Sequence, residues 1–69
     1  MSYEVEIAFD SDPEEEGKQI LLWTKKNCPS YITNKGISYP GGALITFYFV
    51  KESEAAWFRL KWIEKVYEE

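Results

Sequence analysis

The sequence predicts an α+β domain of order β-α-β-β-α, with a three-stranded antiparallel sheet and two helices on one of its faces. Three observations predict it. Apolar residues alternate over the first nine positions, two stretches carry helical periodicity with start signals, and Ala43 to Val50 is apolar on both sides directly after a Pro-Gly-Gly turn.

In the first element Tyr3, Val5, Ile7 and Phe9 fall on one side and Ser2, Glu4, Glu6 and Ala8 on the other. A period of two marks a half-buried strand. A helix is expected from Pro13 to about Cys28. Asp12 can cap it, Pro13 suits the first helical position, and Glu15 stands where a capping-box partner belongs. Pro29 disfavours helical geometry in the residue before it. Acids in the first turn and Lys25 and Lys26 in the last suit the helix dipole. At 100° per residue, Gly17, Ile20, Leu21, Trp23, Thr24 and Cys28 share one face, while Leu22 projects among Glu15, Lys18, Lys25 and Lys26.

Between Ser30 and Tyr39, Tyr31, Ile32, Ile37 and Tyr39 are strand-like, yet Asn34-Lys35-Gly36 is turn chemistry. A bulged or broken strand accommodates both. Pro40-Gly41-Gly42 then turns the chain into Ala43 to Val50, whose two-sided apolarity predicts a central strand with some cover over both surfaces. Ser53 is the expected cap of a second helix reaching about Tyr67. Its projection gathers Ala55, Ala56, Leu60, Trp62, Ile63, Val66 and Tyr67, with Phe58 at the margin. Trp57 points instead toward Lys61, Glu64 and Glu68, and Arg59 falls inside the apolar stripe.

A right-handed crossover from the first strand to the second, followed by a hairpin, places the third strand between the other two. The result is a ferredoxin-like arrangement lacking its last strand. No linker or repeat divides the 69 residues, so one domain covers the chain. A chain this short buries only about 60% of its unfolded surface. One cysteine and no histidine leave neither a disulfide nor a soft-metal cage to help, but aromatic residues make up 17% of the chain and supply bulk for a core.

Composition argues against several function classes. A net charge of −4 opposes attraction to nucleic acid and to anionic membranes. No apolar run approaches the roughly 20 residues of a membrane span, and the start has no signal-peptide pattern, so an unprocessed cytoplasmic chain is expected. Without histidine, and with Cys28 read as a small buried core residue, nucleophile and base pairs are not expected; no enzyme activity and no cofactor are predicted. The Asp10, Asp12, Glu14 run fails as a calcium loop, because Glu15 stands where Gly is required and Leu21 where a bidentate Glu belongs.

What remains is binding. Misplaced apolar residues are candidate anchors: Trp57 and Leu22 on the helices, and Leu44, Tyr48 and Val50 on the open side of the sheet beside Glu4, Glu6 and Ala8. Arg59 is a candidate recognition contact, or else a stem packed on Trp62. With no fourth strand the first strand keeps an open edge, where Glu4 and Glu6 oppose self-pairing; a monomer or weak homodimer is expected. The leading expectation is a non-enzymatic protein-binding module. The alternatives are a structural homo-oligomer joined through the open sheet face or edge strand, and an acidic DNA mimic using Glu4, Glu6, Glu14, Glu15 and Glu16.

The C-terminal third carries an aromatic strand, Ile45-Thr46-Phe47-Tyr48-Phe49, then a short charged link and Glu54-Ala55-Ala56-Trp57-Phe58-Arg59-Leu60-Lys61-Trp62. This strand-then-helix ending resembles that of small accessory proteins of T-even-type bacteriophages. The resemblance implies a phage-encoded modulator or inhibitor of a host protein, acting in the host cytoplasm. It assigns no site residue.

Overall fold

The computed structural model describes residues 2–11 and 13–63. Its elements are β1 (Tyr3–Phe9), α1 (Glu14–Asn27), β2 (Tyr31–Tyr39), β3 (Gly42–Phe49) and α2 (Glu52–Trp62). The sheet has the order β1-β3-β2 with both pairings antiparallel, so the expected topology holds.

Alternation decides which way each strand faces. Val5, Ile7, Phe47 and Phe49 are buried and meet Ile20 and Cys28 of the α1 segment and Ala55 and Phe58 of α2 in one core. Phe58 is its centre: its ring lies 4.7 Å from that of Phe47 and 5.2 Å from that of Phe49. Both helices therefore cover the same face, as expected. Thr24 is the one polar side chain buried with them among the described residues, and its hydroxyl donates to the Ile20 carbonyl at 2.7 Å. An internal partner of this kind offsets the loss of water.

Helix α1 begins one residue later than expected. Pro13 occupies the N-cap position, offers no side-chain cap, and accepts the first helical bond from Gly17 N–H at its carbonyl. The expected cap, Asp12, lies outside the described residues. At the other end the Cys28 N–H donates to the Thr24 carbonyl and closes the helix immediately before Pro29.

Helix α2 departs more from expectation. Lys51, not Ser53, is its N-cap, and Ser53 is exposed in the first turn. The cause is Ser30, which fixes the chain upstream: its carbonyl accepts from Val50 N–H and its hydroxyl from Lys51 N–H. The helix can then start at once. It is described to Trp62, with Ile63 N–H bonded to the Arg59 carbonyl, and the expected continuation to Tyr67 lies outside the described residues.

The phase of α2 also differs. Phe58, expected at the margin, is wholly buried, while Leu60, Ala56 and Ile63 of the expected stripe are exposed. Counting Val66 and Tyr67 had turned the apparent apolar face away from the Ala55, Phe58, Trp62 line. That line follows the i, i+3, i+7 spacing of a helix seated on a sheet.

β2 is a bulged strand, as expected, but it runs unbroken through the turn chemistry of Asn34-Lys35-Gly36. The irregularity lies earlier. Tyr31 opposes Phe49 and Thr33 opposes Tyr48, leaving Ile32 as the extra residue of a bulge. Asn34 stays in the strand with its amide donating to the Tyr31 hydroxyl at 2.8 Å. The hairpin turn is Pro40-Gly41, with Gly41 at φ +91°, and Gly42 already belongs to β3. Val50 falls just beyond the strand.

Candidate functional site

The face of the sheet turned away from the helices carries no second layer among the described residues, which corrects the expectation that both surfaces of β3 are covered. Its side chains form rows, because antiparallel partners point the same way. Glu4, Tyr48 and Thr33 make one row, Glu6, Thr46 and Lys35 the next, and Ala8, Leu44 and Ile37 a third; Tyr39 and Gly42 close the sheet. Leu44 and Tyr48 are half-buried by neighbours in the sheet alone, whereas Ile37 is 62% exposed and Tyr39 47%.

One end of this face is apolar and the other polar. At the polar end an open depression of about 240 Å³ is lined by Ser2, Ile32, Thr33, Lys35 and Tyr48. The Lys35 ammonium stands 5.7 Å from the centroid of the Tyr48 ring, a cation–π distance. Charge divides by strand: Glu4 and Glu6 on β1, Lys35 on β2.

Of the candidate anchors, Leu44, Tyr48, Glu4 and Glu6 are thus brought together. Val50 is exposed at the end of β3 rather than within the face. Lys35, Ile37 and Tyr39 join them, unforeseen from the sequence because the Ile32 bulge reverses the alternation after Tyr31. Placing that extra residue makes Thr33, Lys35, Ile37 and Tyr39 a regular alternation on one side.

Trp57, Leu22 and Arg59 belong to the helical layer instead. Trp57 is 46% exposed, and its ring meets Trp23 edge-on at 5.2 Å. Trp62 meets the same Trp23 ring at 5.9 Å and Phe58 approaches it at 6.4 Å, so three aromatic residues of α2 hold α1. Trp57 is therefore an inter-helix contact as well as a surface residue. Trp62 is only partly buried, less than expected, but more so than Trp57. Leu22 is 69% exposed on α1, and Arg59 is exposed near the end of α2. The acids are likewise divided: Glu4 and Glu6 stand on the open face, Glu14, Glu15 and Glu16 in the first turn of α1.

Cys28 is buried, and burial, assisted by the negative charge of Glu54, pushes its thiol up to about 11. It stays protonated near neutrality and shielded from reagents, which disfavours thiolate chemistry. Glu54 itself accepts a hydrogen bond from the Ser30 backbone N–H at 2.8 Å. Hydrogen bonding with the Ser30 side chain first, then with its backbone N–H and the charge of Lys51, holds the Glu54 carboxyl below the ordinary 4.5 against the opposing effect of partial burial.

A group whose folded-state value lies below its unfolded one stabilises the fold above the unfolded value and loses that contribution as pH falls through the folded one. Wild type should accordingly lose denaturant resistance between neutral pH and the acid side of 4.5. Glu54→Gln keeps the acceptor but removes the charge, and urea midpoints across that range should show a shallower loss. Parallel curves for the two proteins would show that the ionisation of Glu54 contributes nothing measurable.

Comparison with known proteins finds no matching family model, no matching curated relative and no matching solved structure.

Proposed function

We propose that the chain is a small non-enzymatic protein-binding domain that docks through the open face of its sheet. The observation carrying this reading is the uncovered apolar end, where Ile37, Tyr39 and Leu44 lie together while both helices are occupied on the opposite side. Contiguous apolar surface of this kind is costly to leave wet and is characteristic of interaction sites. Leu22 and Trp57 are weaker anchors: Leu22 lies among charged neighbours of its helix, and half of Trp57 already serves the Trp23 contact. The resemblance of the C-terminal third to T-even-type phage accessory proteins further supports a modulator or inhibitor acting on a host protein.

Photo-crosslinking tests the assignment. A benzoylphenylalanine at Ile37 should yield a discrete cross-linked protein in cells, and the same probe at Leu22 should yield none. The reverse pattern would move the binding surface to the helical layer.

A further inference from the structure

We infer that the open face also accepts a second copy of this chain, packed face to face about a two-fold axis parallel to β3. This inference rests on the reading of that face as the docking surface. Its basis is the distribution of charge and size along the rows. Glu6 and Lys35 stand in the same row on opposite edge strands, and so do Ala8 and Ile37.

A two-fold axis along β3, lying between two facing sheets, lays β1 of one copy over β2 of the other. Glu6 then stands over Lys35 of the second copy, and Lys35 over its Glu6. Ala8, the small residue, receives Ile37, the most exposed apolar side chain of the face. On the axis Leu44 meets Leu44 and Tyr48 meets Tyr48. Such an interface is isologous, as a closed dimer requires, and aligned sheets pack within about 30° of each other at roughly 10 Å.

Turning the axis at right angles to the strands gives the opposite result. It would lay β1 over β1 and bring the two acidic strands together, which like-charge repulsion disfavours. The charge pattern therefore selects one orientation.

Size sets the strength. Three strands about 4.8 Å apart and roughly 25 Å long present a footprint on the order of 350 Å² per copy. Stable complexes bury about 800 Å² per partner. The dimer is consequently weak, concentration-dependent and replaceable by a larger protein surface on the same face.

Sedimentation equilibrium to high protein concentration decides the matter, with far-UV circular dichroism confirming that each variant is folded. Wild type should show a reversible monomer–dimer equilibrium. Glu6→Lys and Lys35→Glu should each weaken it about fivefold or more, since two attractive pairs become repulsive, and the double exchange Glu6→Lys with Lys35→Glu should restore it. A monomer throughout, or a dimer indifferent to the single exchanges, overturns the inference. A double exchange no better than the singles overturns the pairing as well. A cross-link from Ile37 to a different protein in cells, alongside a wild type that stays monomeric, would leave the docking face standing and remove only the second copy as its occupant.

Discussion

Phe58→Ala is expected to leave the chain largely unfolded at room temperature. Phe58 has no exposed surface and packs against three other aromatic rings, with Trp23 at 6.4 Å completing the set begun by Phe47 and Phe49. Truncating a buried Phe to Ala costs about 3–5 kcal/mol, through lost apolar transfer and the cavity left behind. In a chain of this length a single core rarely supplies more than about 3–5 kcal/mol of net stability. The substitution therefore removes most or all of it. Because these contacts join α2 to β3 and to α1, no single element can relax into the cavity alone. Far-UV circular dichroism and urea titration read the outcome. The matched control is Leu60→Ala, half exposed and about half a turn round the helix from the core line, for which a change within about 0.5 kcal/mol is expected. If Leu60→Ala proved the damaging substitution and Phe58→Ala the mild one, α2 would have to present its other side to the sheet.

That pair of variants also measures where sequence reading runs out. Strand β1 was legible because its alternation is unbroken from Ser2 to Phe9, and α1 because Ile20, Thr24 and Cys28 recur at intervals of four. The order β1-β3-β2 followed from the handedness of the crossover and the tight Pro40-Gly41 turn, both local rules. The phase of α2 was not legible. Nearly every position from Ala55 to Ile63 is apolar or amphipathic, so the burial of Phe58 is decided by Phe47 and Phe49, which local periodicity does not contain. The candidate surface divides the same way. Glu4, Glu6, Leu44 and Tyr48 could be assigned to one face by alternation alone. Lys35, Ile37 and Tyr39 could not, because the bulge at Ile32 shifts the phase of β2 and is visible only in its pairing with β3. Trp57 was correctly placed toward the surface, but its partner Trp23 is 34 residues away in sequence and came to light only with the packing of the helices.

Gly42→Ala should lower the melting temperature by roughly 5–20 °C, the second largest effect of a single substitution. Gly42 opens β3, and a Cβ built there would collide with the backbone carbonyl oxygen of Phe9 and come within 3.3 Å of the Tyr39 ring. A side-chain tip could rotate away, but the Phe9 oxygen is backbone, so relief requires the ends of β1 and β3 to separate. Phe9 packs against the core at that end, and its displacement propagates the cost inward. Overpacking of this kind costs about 1–3 kcal/mol, and each kcal/mol is worth roughly 4–8 °C in a domain of this size. Gly17→Ala serves as the counterpart. Nothing lies within 4 Å of a Cβ there, and alanine in place of glycine inside a helix gains up to about 1 kcal/mol, so that variant should melt higher than wild type. Since Tyr39 lies across Gly42 on the open face, Gly42→Ala should also weaken whatever docks at the apolar end. Differential scanning calorimetry of the two variants, combined with the Ile37 cross-link in the Gly42→Ala background, tests both consequences. A Gly42→Ala protein that melts with wild type would mean that β1 and β3 leave room at this corner for a side chain.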